Sequence, residues 1–318
     1  MTGYLIRRSF TQVAVLIAST IIVFMLLHIA PGNPATLLNG GHPPSAETIR
    51  YLDARYGLNR PLPVQYILWI YHIVTGNLGQ SIASHSSVSS VLAPRIGLTI
   101  FLTIYAVVIM VVFGVPLGIV SAVFRSGPMD FIATTGSLTL TAIPTYVTGV
   151  VMTVVFGVEL AWFPALGGGD TGSFITRLDH LTMPAIALGL SSLALASRIT
   201  RSAVIGELES DHVFGARVRG FSEKRVVVKH AIRGSLVPVT TIVGAQIGYL
   251  LGGAVVIEYA FGLNGLGTLL VSSVQDKDYA VVQAIALFIT TEFLLISLVV
   301  DLLYGVIDPR VRLVGRAG

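Results

Sequence analysis

Cysteine is absent from this 318-residue sequence, which excludes a disulfide framework, a thiolate metal site and a cysteine nucleophile. Charge is scarce as well. Asp, Glu, Lys and Arg make up 11% of the residues, where a soluble domain carries roughly a quarter. The seven histidines, at 28, 42, 72, 85, 180, 212 and 230, form no metal-ligand spacing such as H-E-x-x-H. Gly167-Gly168-Gly169-Asp170 lacks the Lys-Ser/Thr of a phosphate-binding loop, so ATP hydrolysis by this chain is not expected. No Ser/Lys, paired Asp or His/Glu constellation speaks for intramembrane proteolysis, and no low-complexity linker sets off a soluble domain.

What is abundant is apolar surface: 53% of the residues are hydrophobic and the mean hydropathy is +0.82. That is more than one soluble core of this length can hide, so lipid is the expected solvent. The basic residues are not clustered as a nucleic-acid patch would be, and no nucleic-acid partner is expected. A helix needs about 20 apolar residues to cross about 30 Å of hydrocarbon at 1.5 Å per residue. Ser9 to Ala30 is such a stretch, too long and uniform for a signal peptide. Ile96 to Phe124 and Phe131 to Val158 contain no Asp, Glu, Lys or Arg and hold the second and third spans. The fourth is expected at Leu181 to Ala203, the fifth at Ser235 to Ile257, and the sixth at Ala280 to Val306 with Glu292 inside it. The fold class is therefore an all-α membrane protein with about six transmembrane helices.

An even number of spans puts both termini on one side, and Lys and Arg decide which. One set of segments holds Arg7, Arg8, Arg125, Arg198, Arg201, Arg217, Arg219, Lys224, Arg225, Lys229, Arg233, Arg310, Arg312 and Arg316. The other holds only Arg50, Arg55, Arg60, Arg95, Arg177 and Lys277. Both termini are expected in the cytoplasm. The chain then reads as a cytoplasmic N-terminus and first span (1–30), an external segment (31–97) and a five-helix core (98–318) with a cytoplasmic loop at 204–235. Residues 167–170 become a flexible external turn.

In the external segment, Pro31-Gly32-Asn33-Pro34 stops the first helix. Ser45 can N-cap a short helix that Gly57 ends. A second helix, Val64 to Val74, carries Tyr66, Trp69 and Tyr71, the aromatic content of an interfacial helix. It could be a lid over the external helix ends or a docking surface for a partner.

The loop from Glu207 to Pro238 is the most informative segment. Glu207, Glu209 and Asp211 precede a helical stretch that Arg217 and Arg219 end, an order that complements a helix dipole. Asp211 can N-cap it and Gly220 can be its C-terminal glycine, leaving a helix of about nine residues. Phe214, Val218 and Phe221 share one face at i, i+4, i+7 spacing, and Gly215 and Ala216 allow close approach of another surface. The helix either docks a partner or packs on its own bundle.

At these residues the sequence resembles the permease subunits of ATP-binding-cassette importers. Ala216-Arg217-x-x-Gly220, followed by Leu236-Val237-Pro238, looks like that family's cytoplasmic EAA-type loop, with the longer spacing of its peptide and nickel branch. His28 to Pro34, Tyr56 to Tyr66, Gly76-Asn77-Leu78-Gly79, Gly252 to Glu258, Phe261, Gly265-Leu266-Gly267, Asp278-Tyr279, Val282-Gln283 and Asp308-Pro309-Arg310 extend the resemblance over nearly the whole chain. Two departures stand out: Asn264 where proline is expected, and Glu292 where the branch is apolar.

The resemblance implies a type I importer fold and a mechanism. Two permeases, usually non-identical, form the pathway, each over an ATPase subunit that binds ATP and Mg; an extracytoplasmic binding protein delivers substrate. Asp211, Phe214, Ala216, Arg217, Gly220 and Phe221 would couple to the ATPase, with Ala216 facing it and Gly220 in a left-handed or closely approached backbone. Gln246, Glu258, Asn264 and Glu292 are the candidate pathway or gate residues. Peptides are the expected substrate, with dipeptides, oligopeptides, glutathione-like peptides and nickel chelates all open. A channel or receptor working without ATP is the rival reading.

Within the spans, Gly244, Gly248 and Gly252 form a small-residue ridge that lets another helix approach, and Gly114 and Gly118 flank a kink at Pro116. Gln246 either faces the pathway or makes an interhelical hydrogen bond. Glu292, 12 residues beyond Ala280, lies about 18 Å into its span, near mid-bilayer. Facing lipid there would cost a few kcal/mol, so it is expected to face the bundle, a partner or a wet cavity, either in an interhelical hydrogen bond or as an acidic contact for a peptide's amino terminus.

Overall fold

The computed structural model describes residues 2–307 apart from 30–35, 37–38, 40–41, 57–58 and 170–172. The helix stop at 31–34, the C-terminal role of Gly57, Asp170 and the motif at 308–310 lie outside the described residues. Helices are the only extended elements among the described residues, with a single β-bridge between Gln80 and Ser87.

Among the described residues, five helices are long and apolar enough to cross a membrane. These are α1 (Thr2–Ile29), α4 (Val88–Val123), α7 (Phe174–Leu208), α9 (Glu223–Ala260) and α11 (Tyr279–Ile307). Short helices α2 (Ala46–Tyr56) and α3 (Leu62–Val74) lie between α1 and α4, α8 (Asp211–Val218) between α7 and α9, and α10 (Leu266–Gln275) between α9 and α11. The sixth expected span is a bent pair, α5 (Pro128–Ala142) and α6 (Thr145–Glu159), turning through 101°. The charge-free run had read as one span; Pro144 breaks it. A residue before proline is pushed out of the helical region, and Ile143 sits extended at φ −85°, ψ 123°.

Pro116 has a different outcome from Pro144. Helix α4 runs past the expected kink site as one 36-residue span, with a π-turn at Met110–Gly114 directly ahead of the proline. Such wide turns are where a helix absorbs an irregular hydrogen-bond ladder.

The described contacts divide the chain into two compact units. One comprises residues 1–6, 101–263 and 295–318; the other comprises 7–100 and 264–294. The expected three-part division follows the chain, whereas these units follow contacts.

In the first unit α7 is the central helix, with 67% of its membrane window buried. Small residues make this possible. A Cβ on Gly114 would come 2.8 Å from the Leu193 carbonyl oxygen, and one on Gly118 would collide with the Ser197 carbonyl and Thr200. Gly189 in turn admits the backbone of Ala106. The ridge expected on α9 is used differently. Gly244 receives Val300, but a Cβ on Gly252 would meet nothing within 4 Å. Near the loop end, Ala122, Val204 and Ala231 form a buried cluster.

In the second unit, the side-chain oxygen of Ser45 accepts from Thr48 N at 3.1 Å, capping α2. Helix α3 does not present its aromatics as an interfacial helix would. Trp69 is buried with Val23, Phe24 and Leu287, and Tyr66 Oη lies 2.7 Å from Thr20 Oγ1. Only Tyr71 stays outside, 62% exposed. The aromatic rings are worth more against the apolar face of α1 than at a surface. The buried Asp278 carboxylate accepts from Ser81 Oγ at 2.6 Å and from the backbone N–H groups of Ile82 and Ala83. It thereby holds the 79–87 loop, which Gly79 opens at positive φ.

Candidate functional site

The loop between α7 and α9 is built by short local rules. Helix α7 closes at Leu208 with Glu209 as its C-cap; Ser210 starts α8, eight residues long. Asp211 was expected to be the N-cap, but it occupies the first helical turn. Ser210 holds the cap position with extended backbone, while its hydroxyl donates to the Glu207 carbonyl and lies 2.9 Å from His212 Nδ1. Gly220 follows the helix at φ +78°, the left-handed conformation expected of it. Nothing lies within 4 Å of where its Cβ would be, so conformation and not close approach demands glycine.

The side chains of α8 sort onto two faces. Val213 and Ala216 are fully buried with Val226, and Phe221 packs against them. Phe214 and Val218 point outward, 66% and 71% exposed. Two expectations change here. Ala216 does not face outward, because its small side chain seats α8 on the start of α9. Phe221 leaves the outer stripe: Gly220 reverses the chain after α8, and the ring stacks on His230 at 5.9 Å with the Arg225 guanidinium 4.6 Å from its centroid.

Polar contacts brace this seat. Arg217 donates to both carboxylate oxygens of Glu223, at 2.9 and 3.3 Å, and to the Leu208 carbonyl at 3.3 Å. Arg125 pairs with Glu209, and His212 Nε2 lies 3.4 Å from Glu207. Glu207 and Glu209, dipole partners of α8 by sequence, thus tie the loop to its surroundings. A short helix held at both ends, with two apolar side chains exposed, offers a small docking face. Asp211, Phe214, Arg217 and Gly220 are exposed around it.

The candidate pathway residues are not gathered into one constellation. Gln246 and Glu258 are both buried on α9 and stand 12 residues apart, about 18 Å along the axis. Glu258 is fully buried and its carbonyl accepts from Leu263 N at 2.8 Å, so it belongs to the turn that ends α9. In the second unit, Asn264 Oδ1 accepts from Arg95 Nε at 3.1 Å on an exposed surface. Glu292 is partly buried on α11, and its Oε2 meets no hydrogen-bond partner among the described residues.

One polar cluster was not legible in the sequence. Arg201 donates to both oxygens of Asp130, at 2.5 and 2.8 Å; Ser121 Oγ and the Ser126 N–H also donate to that carboxylate. Arg201 had read as a charge tolerated at the end of its span. Its signal was the opposite charge at Asp130, just ahead of another charge-free run. The turn at 167–169 also proves tied rather than loose: Gly167 donates to the Phe261 carbonyl at 3.0 Å and its own carbonyl lies 3.1 Å from His180 Nδ1.

Residues 114–313 match the family described as binding-protein-dependent transport system inner membrane component, and residues 1–103 match its N-terminal component. The glutathione transport system permease protein GsiC of Pectobacterium atrosepticum is 38% identical over 312 residues, covering 98% of this chain and 99% of that protein. The protein of the same name from Escherichia coli K12 is 37% identical over the same coverage. Among solved structures, an inward-facing form of the MetNI methionine ABC transporter superposes with a TM-score of 0.56 at 16% identity, covering 69% of this chain and 96% of that one.

Proposed function

The chain belongs to the family of binding-protein-dependent transport system inner membrane components, and on that premise we propose that it forms half of the pathway of an importer for short peptides of glutathione size. It is a multi-pass inner-membrane permease subunit of an ABC importer and not an enzyme. The short-peptide reading rests on one observation: relatives 36–38% identical over 98% of the chain are glutathione permeases. A second permease completes the pathway, an ATPase that binds ATP and Mg sits beneath each, and an extracytoplasmic binding protein delivers the substrate.

The coupling element in this reading is α8. Its inner face is locked on α9 through Ala216, Val213 and Val226, so an ATPase that grips Phe214 and Val218 moves the start of α9 with it as a rigid body. Covering those side chains supplies about 1.5–3 kcal/mol each. The open face of α9 around Gly252 is offered to the second permease, and Glu292 is the acidic contact for a peptide's amino group. Glu258 supports the turn that ends the pathway helix, and Asn264 holds Arg95.

The test is uptake by the reconstituted complex with its binding protein, comparing glutathione, a dipeptide, a longer peptide and a nickel chelate, each with and without ATP. ATP-dependent uptake of glutathione or a peptide of similar length is the expected result. Uptake of the nickel chelate alone would replace the peptide reading, and ATP-independent flux would replace the importer reading.

A further inference from the structure

Beside the seat of α8, the first turns of α9 carry Lys224, Arg225 and Lys229, all exposed. Two adjoining hollows open there. One, of about 310 Å³, is lined by Ser222, Lys224, Arg225, Val228 and Lys229. The other, of about 440 Å³, shares Lys224 and Val228 and adds Val123, Glu223 and Val227. The one carboxylate in this lining is already committed, since Glu223 takes both donors of Arg217. Arg225 rests on the Phe221 ring. Among the described residues, neither Lys224 nor Lys229 joins an ion pair.

The depth of these hollows is marked by their neighbours. Val123 ends α4, and Val123, Phe124 and Val228 are exposed, as are Met129, Phe131 and Ile132 just beyond the turn. Apolar side chains in such numbers at the ends of spans fit the acyl boundary of a bilayer, and the lysines on the first turns of α9 have stems long enough to hold their ammonium groups at its surface. A site with apolar residues on one rim and uncompensated ammonium groups on the other matches an amphiphile with an anionic head. We propose that the two adjoining hollows, which share Lys224 and Val228, bind one anionic phospholipid, its headgroup beside Lys224 and Lys229 and its acyl chains along Val123 and Phe124. The bound lipid fills the gap between the ends of α4 and α9, next to the element that α8 moves.

The test is photolabelling of the intact importer complex in phosphatidylcholine nanodiscs doped with photoreactive phosphatidylglycerol or, separately, photoreactive phosphatidylcholine. The label is mapped on residues 222–230. The expected result is preferential labelling by phosphatidylglycerol, falling about fivefold for each lysine removed in Lys224→Gln and Lys229→Gln. The charge-preserving Lys224→Arg/Lys229→Arg variant should keep the preference. Equal labelling by the two lipids in the parent overturns the proposal, whatever the variants do. Competition by inorganic phosphate would assign the site to a free anion instead. Loss of the ATPase from the Gln variants with lipid labelling unchanged would assign the lysines to the ATPase contact.

Discussion

Helices α7 and α8 are separated by two residues, yet they meet their surroundings in opposite ways. Helix α7 is closed by its own chain: α4 lies against it backbone to backbone at Gly114 and Gly118, and Arg201 is held by Asp130. Helix α8 is closed on one face only, with Phe214 and Val218 left in water. The same contrast separates the two glycine ridges, since that of α4 is filled by α7 while Gly252 of α9 faces open space. A small-residue ridge or an apolar stripe therefore announces a close neighbour without saying whether that neighbour is in the chain. What is closed within the chain carries stability, and what is left open is available to a neighbour outside it.

The largest effect expected from this division is at α4. Gly118→Leu drives a side chain into the Ser197 carbonyl, so little folded protein should be recovered from membranes. Gly252→Leu should accumulate at parental levels but lose the second permease on purification. Equal recovery of both variants, measured by detergent-resistant size-exclusion profiles, would erase the distinction between the ridges.

Next comes the clamp on α7. Arg201→Met leaves the Asp130 carboxylate without its cation and with only the Ser121 and Ser126 donors, at a cost below the roughly 3–5 kcal/mol of breaking a fully buried pair. The thermal unfolding midpoint in detergent should drop accordingly, and the double variant with Asp130→Leu should recover most of the loss. A single variant as stable as the parent would remove the clamp from the account of α7.

A smaller cost to the chain, but a specific one to transport, is expected at α8. Phe214→Ala with Val218→Ala should leave the unfolding midpoint near that of the parent, because neither side chain is packed. ATPase retention should weaken by about tenfold or more for each side chain removed, and ATP-driven uptake should fall with it. Full retention would mean that this face meets something other than the ATPase. Ala216→Glu behaves as an α7-type change, because it places a charge under α8 and should dislodge the helix.

The smallest effect is expected at Glu292. Glu292→Gln keeps the shape and removes the charge, so free-amine peptides should be taken up about fivefold more slowly, the difference between a charge-assisted and a neutral hydrogen bond. N-acetylated analogues, where carried, should be spared. Unchanged uptake of both substrate types would leave Glu292 with a packing role.

Much of the architecture could be read from the residues because the bilayer imposes a length on every span. Runs free of charge from 96 to 124 and from 131 to 158, and glycine at 220 where α8 must reverse at positive φ, follow from local chemistry alone. The bend after Ala142 is local too, legible in Pro144 once its effect on Ile143 is weighed. Other features belong to tertiary structure. Ala216 and Phe221 turn inward because Val226 and His230, carried on the next helix, come to meet them. Arg201 finds Asp130 across 71 residues of chain, and Trp69 finds Leu287. Periodicity shows that a face is apolar or small, but only the fold brings the distant segment that covers it or leaves it bare.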